Sequence, residues 1–300
     1  MGRFVRTVFP AGRAVGAMPR SVLLVLALLL GPVAAAADVA PQLVRIPLDD
    51  GLSMVAGVYQ PAGEGRHPVV VYSHGRSGTD ERALTTVPDP RGFVRYWLRK
   101  GFAVVAPIRP GYGATGGHDS EDSGVRYDIF GNCWGRPQFG EAAAAARAAL
   151  TRAIDWTRAQ PWADGGRIVL MGTSMGGLAS LATGAANPDG VSAVISFAGG
   201  TGGNGAASPE HGCGSDAMEA LMARYGATTH VPTLWLYAEN DSFWGAERPR
   251  AWYRAFARGG SQSRFVMTEG LGNADGHQLL GRGSRLWIAH VDQFLSDIGF

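Results

Sequence analysis

A serine sits between two glycines in Gly172-Thr173-Ser174-Met175-Gly176, directly after an apolar run at 168–171 and before a helix-compatible stretch at 175–186. A strand-to-helix turn this tight needs tiny side chains two residues before and two after the serine, and it lifts the hydroxyl clear of the sheet as a nucleophile elbow. With 44 glycines in 300 residues, about 0.4 such strings are expected by chance. The placement between strand and helix therefore carries the assignment of Ser174 as a nucleophile for a carbonyl carbon. A serine hydroxyl is a poor nucleophile unless a base takes its proton and a third group orients that base.

Seven histidines compete for the base. His277, in Asp275-Gly276-His277, follows the last candidate strand and precedes the C-terminal helix, which puts it at the same strand ends as Ser174. His290 falls inside that helix, and His67, His118, His211 and His230 fall in turns or irregular stretches. For the orienting acid, the run 233–237 ends in Ala238-Glu239-Asn240-Asp241. Asp241 is favoured, Glu239 competes, and Asp275 is too near His277 in sequence to be an easy partner. The negative charge that develops on the attacked carbonyl oxygen needs two preorganised N–H donors. The amide of Met175, next after the serine, is one; the second belongs to the loop Ser73-His74-Gly75-Arg76-Ser77-Gly78, where Arg76 N–H is the candidate.

These residues need elements to hold them. Residues 43–48 and 54–59, joined by Asp49-Asp50-Gly51, read as an antiparallel hairpin. The continuous apolar runs at 69–72, 103–106, 168–171, 191–197, 233–237 and 264–267 read as buried parallel strands covered by helices on both faces. Helix-compatible stretches at 92–100, 141–157, 175–186, 216–225, 248–257 and 284–297 alternate with them. The alternation predicts right-handed βαβ units and a single, mostly parallel sheet in an α/β domain. Two glycine-rich stretches, 111–140 and 199–214, lack clear periodicity and read as long loops or short excursions at the sheet edge, and loops of this length in a compact domain are usually functional.

In this order, the pieces resemble the α/β-hydrolase superfamily, and most of all its dienelactone-hydrolase-like group. The resemblance covers residues 43–298 and rests on His74-Gly75, the turn Arg109-Pro-Gly-Tyr-Gly113, the Ser174 elbow, Asp241 and His277. The chain order Ser…Asp…His is that superfamily's order. Dienelactone hydrolases proper use a cysteine nucleophile, so what the resemblance implies is the fold and a serine-dependent attack on a carbonyl, without a cofactor or metal. It does not imply their particular substrate. Arg109 reads as a structural ion pair or turn anchor.

The reading is thus an enzyme cleaving a carboxylic ester of a small molecule through an acyl-enzyme. A peptidase or acyltransferase on the same triad, or a catalytically inactive binding protein on this fold, are the alternatives.

The termini and composition add the compartment. Residues 1–20 carry Arg3, Arg6, Arg13 and Arg20 and no acid; an apolar run follows at 22–30, then Gly31-Pro32 and small residues at 33–37. This is the order of a secretory signal peptide over 1–37, leaving a hydrolase domain over 38–300, periplasmic or secreted and with no stable membrane anchor after cleavage. The full chain carries 27 basic and 25 acidic residues, +2. Without residues 1–37 it carries 23 and 25, a net of −2, which leaves no basic footprint for nucleic acid. Lys100 is the single lysine, a bias expected of a GC-rich bacterial genome. The two cysteines, Cys133 and Cys213, fall one in each glycine-rich stretch, and in an exported protein such a pair suggests one disulfide tying the loops together.

Overall fold

Two hydrophobic cores, one on each face of a single sheet, organise the chain. A computed structural model describes residues 1–2, 40–49, 51–78 and 81–300. The expected signal peptide therefore lies outside the described residues apart from its first two, and 38–300 cluster as one unit. The strands are β1 (Gln42–Pro47), β2 (Ser53–Tyr59), β3 (His67–Ser73), β4 (Ala103–Pro107), β5 (Val125–Tyr127), β6 (Cys133–Gly135), β7 (Ala163–Thr173), β8 (Val191–Phe197), β9 (Thr233–Ala238) and β10 (Ser263–Thr268). Eight of them form the sheet in the order β1-β2-β4-β3-β7-β8-β9-β10. β1 and β2 pair antiparallel, as does β2 with β4; every pair from β4 through β10 is parallel.

Strand periodicity sends alternate side chains to opposite faces. On β3, Val69 and Val71 enter one core while Val70 and Tyr72 enter the other; Ile168 and Leu170 on β7 divide likewise from Val169 and Met171. Both faces are therefore apolar, which is why these strands read as continuous hydrophobic runs. One face is covered by α2 (Phe139–Arg158), α3 (Met175–Gly184), α4 (Ser215–Thr228) and α5 (Glu247–Ala257). The other is covered by α1 (Arg95–Arg99), α6 (Leu279–Arg282) and α7 (Ser284–Asp297), with Trp97, Trp287 and Phe294 buried against it. In α2 the alanines 142, 143, 146, 149 and 153 are buried; small side chains at helical spacing let the helix lie close to the strands.

The mostly parallel sheet between two helical layers agrees with the expectation from the apolar runs. Three local differences appear. Residues 90–94 form a single π-type turn ahead of a short α1, because Gly92 adopts a non-helical ψ of −137°. His67 starts β3 rather than lying in a turn. The stretch 111–140 contains the antiparallel hairpin of β5 and β6, too short for a periodic signal.

The two glycine-rich stretches are joined as expected. Cys133 and Cys213 form a disulfide with Cα atoms 5.9 Å apart, across 80 residues of sequence. Tyr127 on β5 adds a second tie: its hydroxyl donates to Gly202 O at 2.6 Å and accepts from Cys213 N–H at 2.9 Å.

Candidate active site

Four of the residues singled out from the sequence follow the carboxyl ends of parallel strands: Arg76 after β3, Ser174 after β7, Asp241 after β9 and His277 after β10. In open α/β sheets this is the edge at which ligands bind.

Ser174 is held at φ 54° and ψ −124°, a sparsely populated conformation for a residue with a side chain, worth about 1–3 kcal/mol of strain. The surrounding hydrogen bonds enforce it. Ser174 N–H donates to Phe197 O at 2.9 Å, and its own carbonyl accepts from Gly177 N–H and Gly200 N–H at 2.9 and 3.1 Å. Gly176 is required by close approach: a Cβ there would lie 2.0 Å from Ser73 O. That contact seats the loop after β3 directly on the elbow, and a Cβ on Gly75 would lie 3.3 Å from Ser174 Cβ.

The expected acid and base meet on neighbouring loops. His277 Nδ1 is 3.1 Å from each carboxylate oxygen of Asp241. Asp241 is fully buried and its Oδ1 also accepts from the amides of Phe243 at 2.9 Å and Trp244 at 3.2 Å. Asp275 couples the two loops, accepting from Ser242 N–H, Ser242 Oγ–H and His277 N–H at 3.0, 2.6 and 2.9 Å. Burial would raise the Asp275 pKa, but these donors outweigh it and hold the carboxyl below its ordinary value. A Cβ on Gly276 would sit 2.6 Å from Asp241 N, so glycine lets the base loop come down onto the acid loop. Glu239, the competing acid, is exposed.

The two amides expected to bind an oxyanion, Met175 N–H and Arg76 N–H, have no protein acceptor among the described residues. The Arg76 side chain is engaged elsewhere, with Nη1 and Nη2 on the two oxygens of Asp119 at 2.9 and 2.7 Å. Arg82 Nη1 also reaches Asp119 Oδ2. Burial acts to raise the Asp119 pKa, yet the two guanidiniums and the Glu121 amide bring it below the ordinary carboxylate value.

Arg109 is fully buried and forms the expected ion pair. Its Nε and Nη2 donate to Glu121 at 2.5 and 2.9 Å, and its Nη1 donates to Ser73 Oγ and His74 O at 2.9 and 2.6 Å. Burial opposes its charge, and Glu121 more than compensates, raising its pKa. The pair pins the loop that carries Arg76 from below.

Two clefts flank Ser174. One, of about 980 Å³, is bordered by Met175, Arg82, Asp122, Arg126, Tyr127 and Asn204 among others. The second, of about 540 Å³, is bordered by His277, Tyr72, Phe93 and Leu280. Ser174, Arg76 and Phe243 border both. Trp244 is buried in the wall of the larger cleft with Nε1 donating to Ala198 O at 2.9 Å, whereas Trp134 is exposed. Sequence reasoning did not find Phe243, Phe93, Arg82 or Asp119. The one signal within reach was the adjacency of Phe243 to Asp241. Among the described residues no group of three His, Cys, Asp or Glu side chains could hold a metal ion.

The profile of the X-Pro dipeptidyl-peptidase (S15) family matches residues 50–258, more than two thirds of the chain. The chain belongs to that family. The S15 match includes Arg76, Ser174, Met175 and Asp241 and ends before His277. None of the curated proteins searched matches the chain in sequence.

Among solved structures, a candidate dienelactone hydrolase of Klebsiella pneumoniae is similar, with 18% identity, a TM-score of 0.57, and coverage of 87% of this chain and 98% of that one. An esterase of Pyrococcus furiosus matches at 14% identity and TM-score 0.57, over 86% and 91% of the two chains. A puromycin-hydrolysing peptidase of Mycobacterium tuberculosis matches at 21% identity and TM-score 0.61, over 87% of this chain but 40% of that one. The S15 chain thus spans well under half of that peptidase and nearly all of the other two. At these identities the likeness is one of fold, and the fold is that of the α/β hydrolases, as the order of Ser174, Asp241 and His277 implied.

Proposed function

We propose that the protein is an exported serine hydrolase that cleaves a carboxylic ester of a small molecule by way of an acyl-enzyme. The observation that carries the reading is the pairing of His277 Nδ1 with the buried carboxylate of Asp241 beside the strained Ser174 elbow. With Nδ1–H given to Asp241, Nε2 of the neutral imidazole is free to accept the Ser174 proton. Ser174 Oγ then bonds to the carbonyl carbon, and the oxygen's negative charge is taken by Met175 N–H and Arg76 N–H. Collapse breaks the bond to the leaving oxygen, which receives the proton from His277. Water repeats the sequence to free Ser174. Removing one of two such oxyanion donors typically costs about 10²–10³ in rate.

The disulfide supports an oxidising compartment, in keeping with the leader read at residues 1–37. Among the described residues no helix is long and apolar enough to cross a membrane.

Membership of the S15 family favours a second reading, peptidase activity at the same serine. The test is labelling of Ser174 by a fluorophosphonate, together with kcat/KM on a 4-nitrophenyl ester and the 4-nitroanilide of the same acyl group. Loss of labelling and turnover in Ser174→Ala is expected, with the ester cleaved faster. Full turnover by Ser174→Ala overturns the nucleophile, and a faster anilide overturns the ester preference.

A further inference from the structure

The proton path divides the two clefts between the two halves of the substrate. On the reading just given, which this inference rests on, the departing atom must lie within hydrogen-bond reach of His277 Nε2 to receive its proton. His277 borders the 540 Å³ cleft and is not among the residues bordering the 980 Å³ one. The leaving group therefore occupies the smaller cleft, and the other substituent of the attacked carbon extends from Ser174 past Met175 into the larger. Phe243, which borders both clefts, stands between them with its ring stacked on His277.

The walls differ in chemistry. Around the leaving-group cleft Tyr72, Phe93, Phe243 and Leu280 supply most of the side-chain surface beside Arg76, Gln278 and Arg282, and Tyr72 packs its ring against Phe93 with centroids 4.6 Å apart. Burial pushes the Tyr72 phenol up to about 12, so it stays neutral. The acyl cleft adds Arg82 and Arg126 to the shared Arg76 and sets them against Glu81, Asp119 and Asp122, acids that the smaller cleft does not have among the described residues. Arg76 and Arg82 share Asp119, and Arg126 pairs with Asp122 at 2.5 Å. Arg82 gives Asp119 a single N–H through Nη1, which leaves most of its five donors for a ligand. An alkyl chain laid here would strip water from these groups and return no hydrogen bond, a cost that polar atoms in the same place avoid.

We infer that the substrate combines a polar, hydrogen-bonding acyl group with a compact apolar leaving group, and that the enzyme discriminates against plain alkyl acyl chains. Among the described residues the signs along the acyl cleft balance, three of each, so the acyl group it fits carries hydroxyls, amides or both charges rather than a lone charge.

Two ester series read this out on the purified full chain. With 4-nitrophenol as the constant leaving group, kcat/KM for the N-acetylglycyl ester is expected to exceed that for the pentanoyl ester by at least tenfold, after correction for their alkaline hydrolysis rates. With the acyl group constant, a phenyl ester is expected to exceed a 2,3-dihydroxypropyl ester after the same correction. Arg82→Gln narrows the acyl ratio and leaves the leaving-group ratio in place; Phe93→Ser does the reverse. Because both readouts are ratios, partial loss of folded protein cancels from them. Fluorophosphonate labelling of Ser174 separates the two levels. Absence of labelling overturns the nucleophile reading and this inference with it. Labelling together with a pentanoyl preference, or with either variant shifting both ratios alike, overturns the allocation of the clefts alone.

Discussion

Phe243 lies over the imidazole of His277, with ring centroids 4.0 Å apart and planes 26° from parallel. Its amide donates to Asp241 Oδ1 at 2.9 Å, so one residue both caps the acid and covers the base. Replacing the ring by Ala keeps the amide and removes a stack worth about 0.5–1.5 kcal/mol. Phe243→Ala is expected to lower kcat/KM on a short activated ester by up to roughly tenfold, with Phe243→Tyr restoring most of it. Steady-state kinetics of both variants check this, and equal rates for wild type and Phe243→Ala would make the stack dispensable.

The Asp241 carboxylate accepts from two backbone amides as well as from His277 Nδ1. An asparagine can keep one of those roles but favours the wrong imidazole tautomer. Asp241→Asn is expected to reduce kcat by about 10⁴ while the far-ultraviolet circular dichroism stays unchanged. Retention of more than a tenth of the activity would point to Glu239 or Asp275 as a working substitute.

The Cys133–Cys213 bond closes 80 residues, which corresponds to about 4.5 kcal/mol of denatured-state entropy by the chain-entropy argument, an upper figure. The double variant Cys133→Ser/Cys213→Ser is expected to unfold at lower denaturant and to be cut by protease within 111–140 or 199–214. Its acyl-ester kcat/KM should fall more than its labelling rate, because those loops wall the acyl cleft. An unchanged unfolding midpoint would show that Tyr127 and the packing of the loops suffice without the bond.

His74 is buried between Arg109 and the elbow loop. Its Nδ1 lies 2.7 Å from Gly75 O and its Nε2 accepts from Arg109 N–H at 3.0 Å, an arrangement that suits the neutral ring. Burial first, and the Arg109 guanidinium second, hold its pKa well below 6.5. Above pH 6.5 the ring is neutral in both folded and unfolded chains and contributes no pH dependence. Below it the unfolded chain gains a proton that the folded chain refuses, so stability falls as pH falls, by up to about 1.4 kcal/mol per pH unit. The unfolding free energy of His74→Gln should therefore vary less between pH 6.5 and 5 than that of the wild type. Parallel curves would assign the acid sensitivity to other groups.

The order of elements and the residues that can do chemistry were legible in the sequence for a local reason. Strands buried on both faces must be continuous apolar runs, and an elbow needs glycine on either side of its serine. The runs at 168–171 and 233–237 therefore announced β7 and β9, and with them the edge at which Ser174 and Asp241 stand. The choice of Asp241 over Glu239 followed from strand position, while its full burial under the Phe243 and Trp244 amides came from tertiary packing. The hairpin of β5 and β6 had no periodic signal, because strands of three residues held by a distant disulfide and by Tyr127 owe their form to contacts 75 to 86 residues away. The polarity of the two clefts was hidden for the same reason: Arg82, Asp119, Phe93 and Phe243 are unremarkable one at a time, and acquire roles only when loops after different strands converge. The sequence by itself determined the sheet and pointed to Ser174, Asp241 and His277 in the loops that follow its strands. The tertiary structure alone decided which side of Ser174 is polar and which apolar, because that depends on long-range closure of loops whose own residues specify no regular backbone.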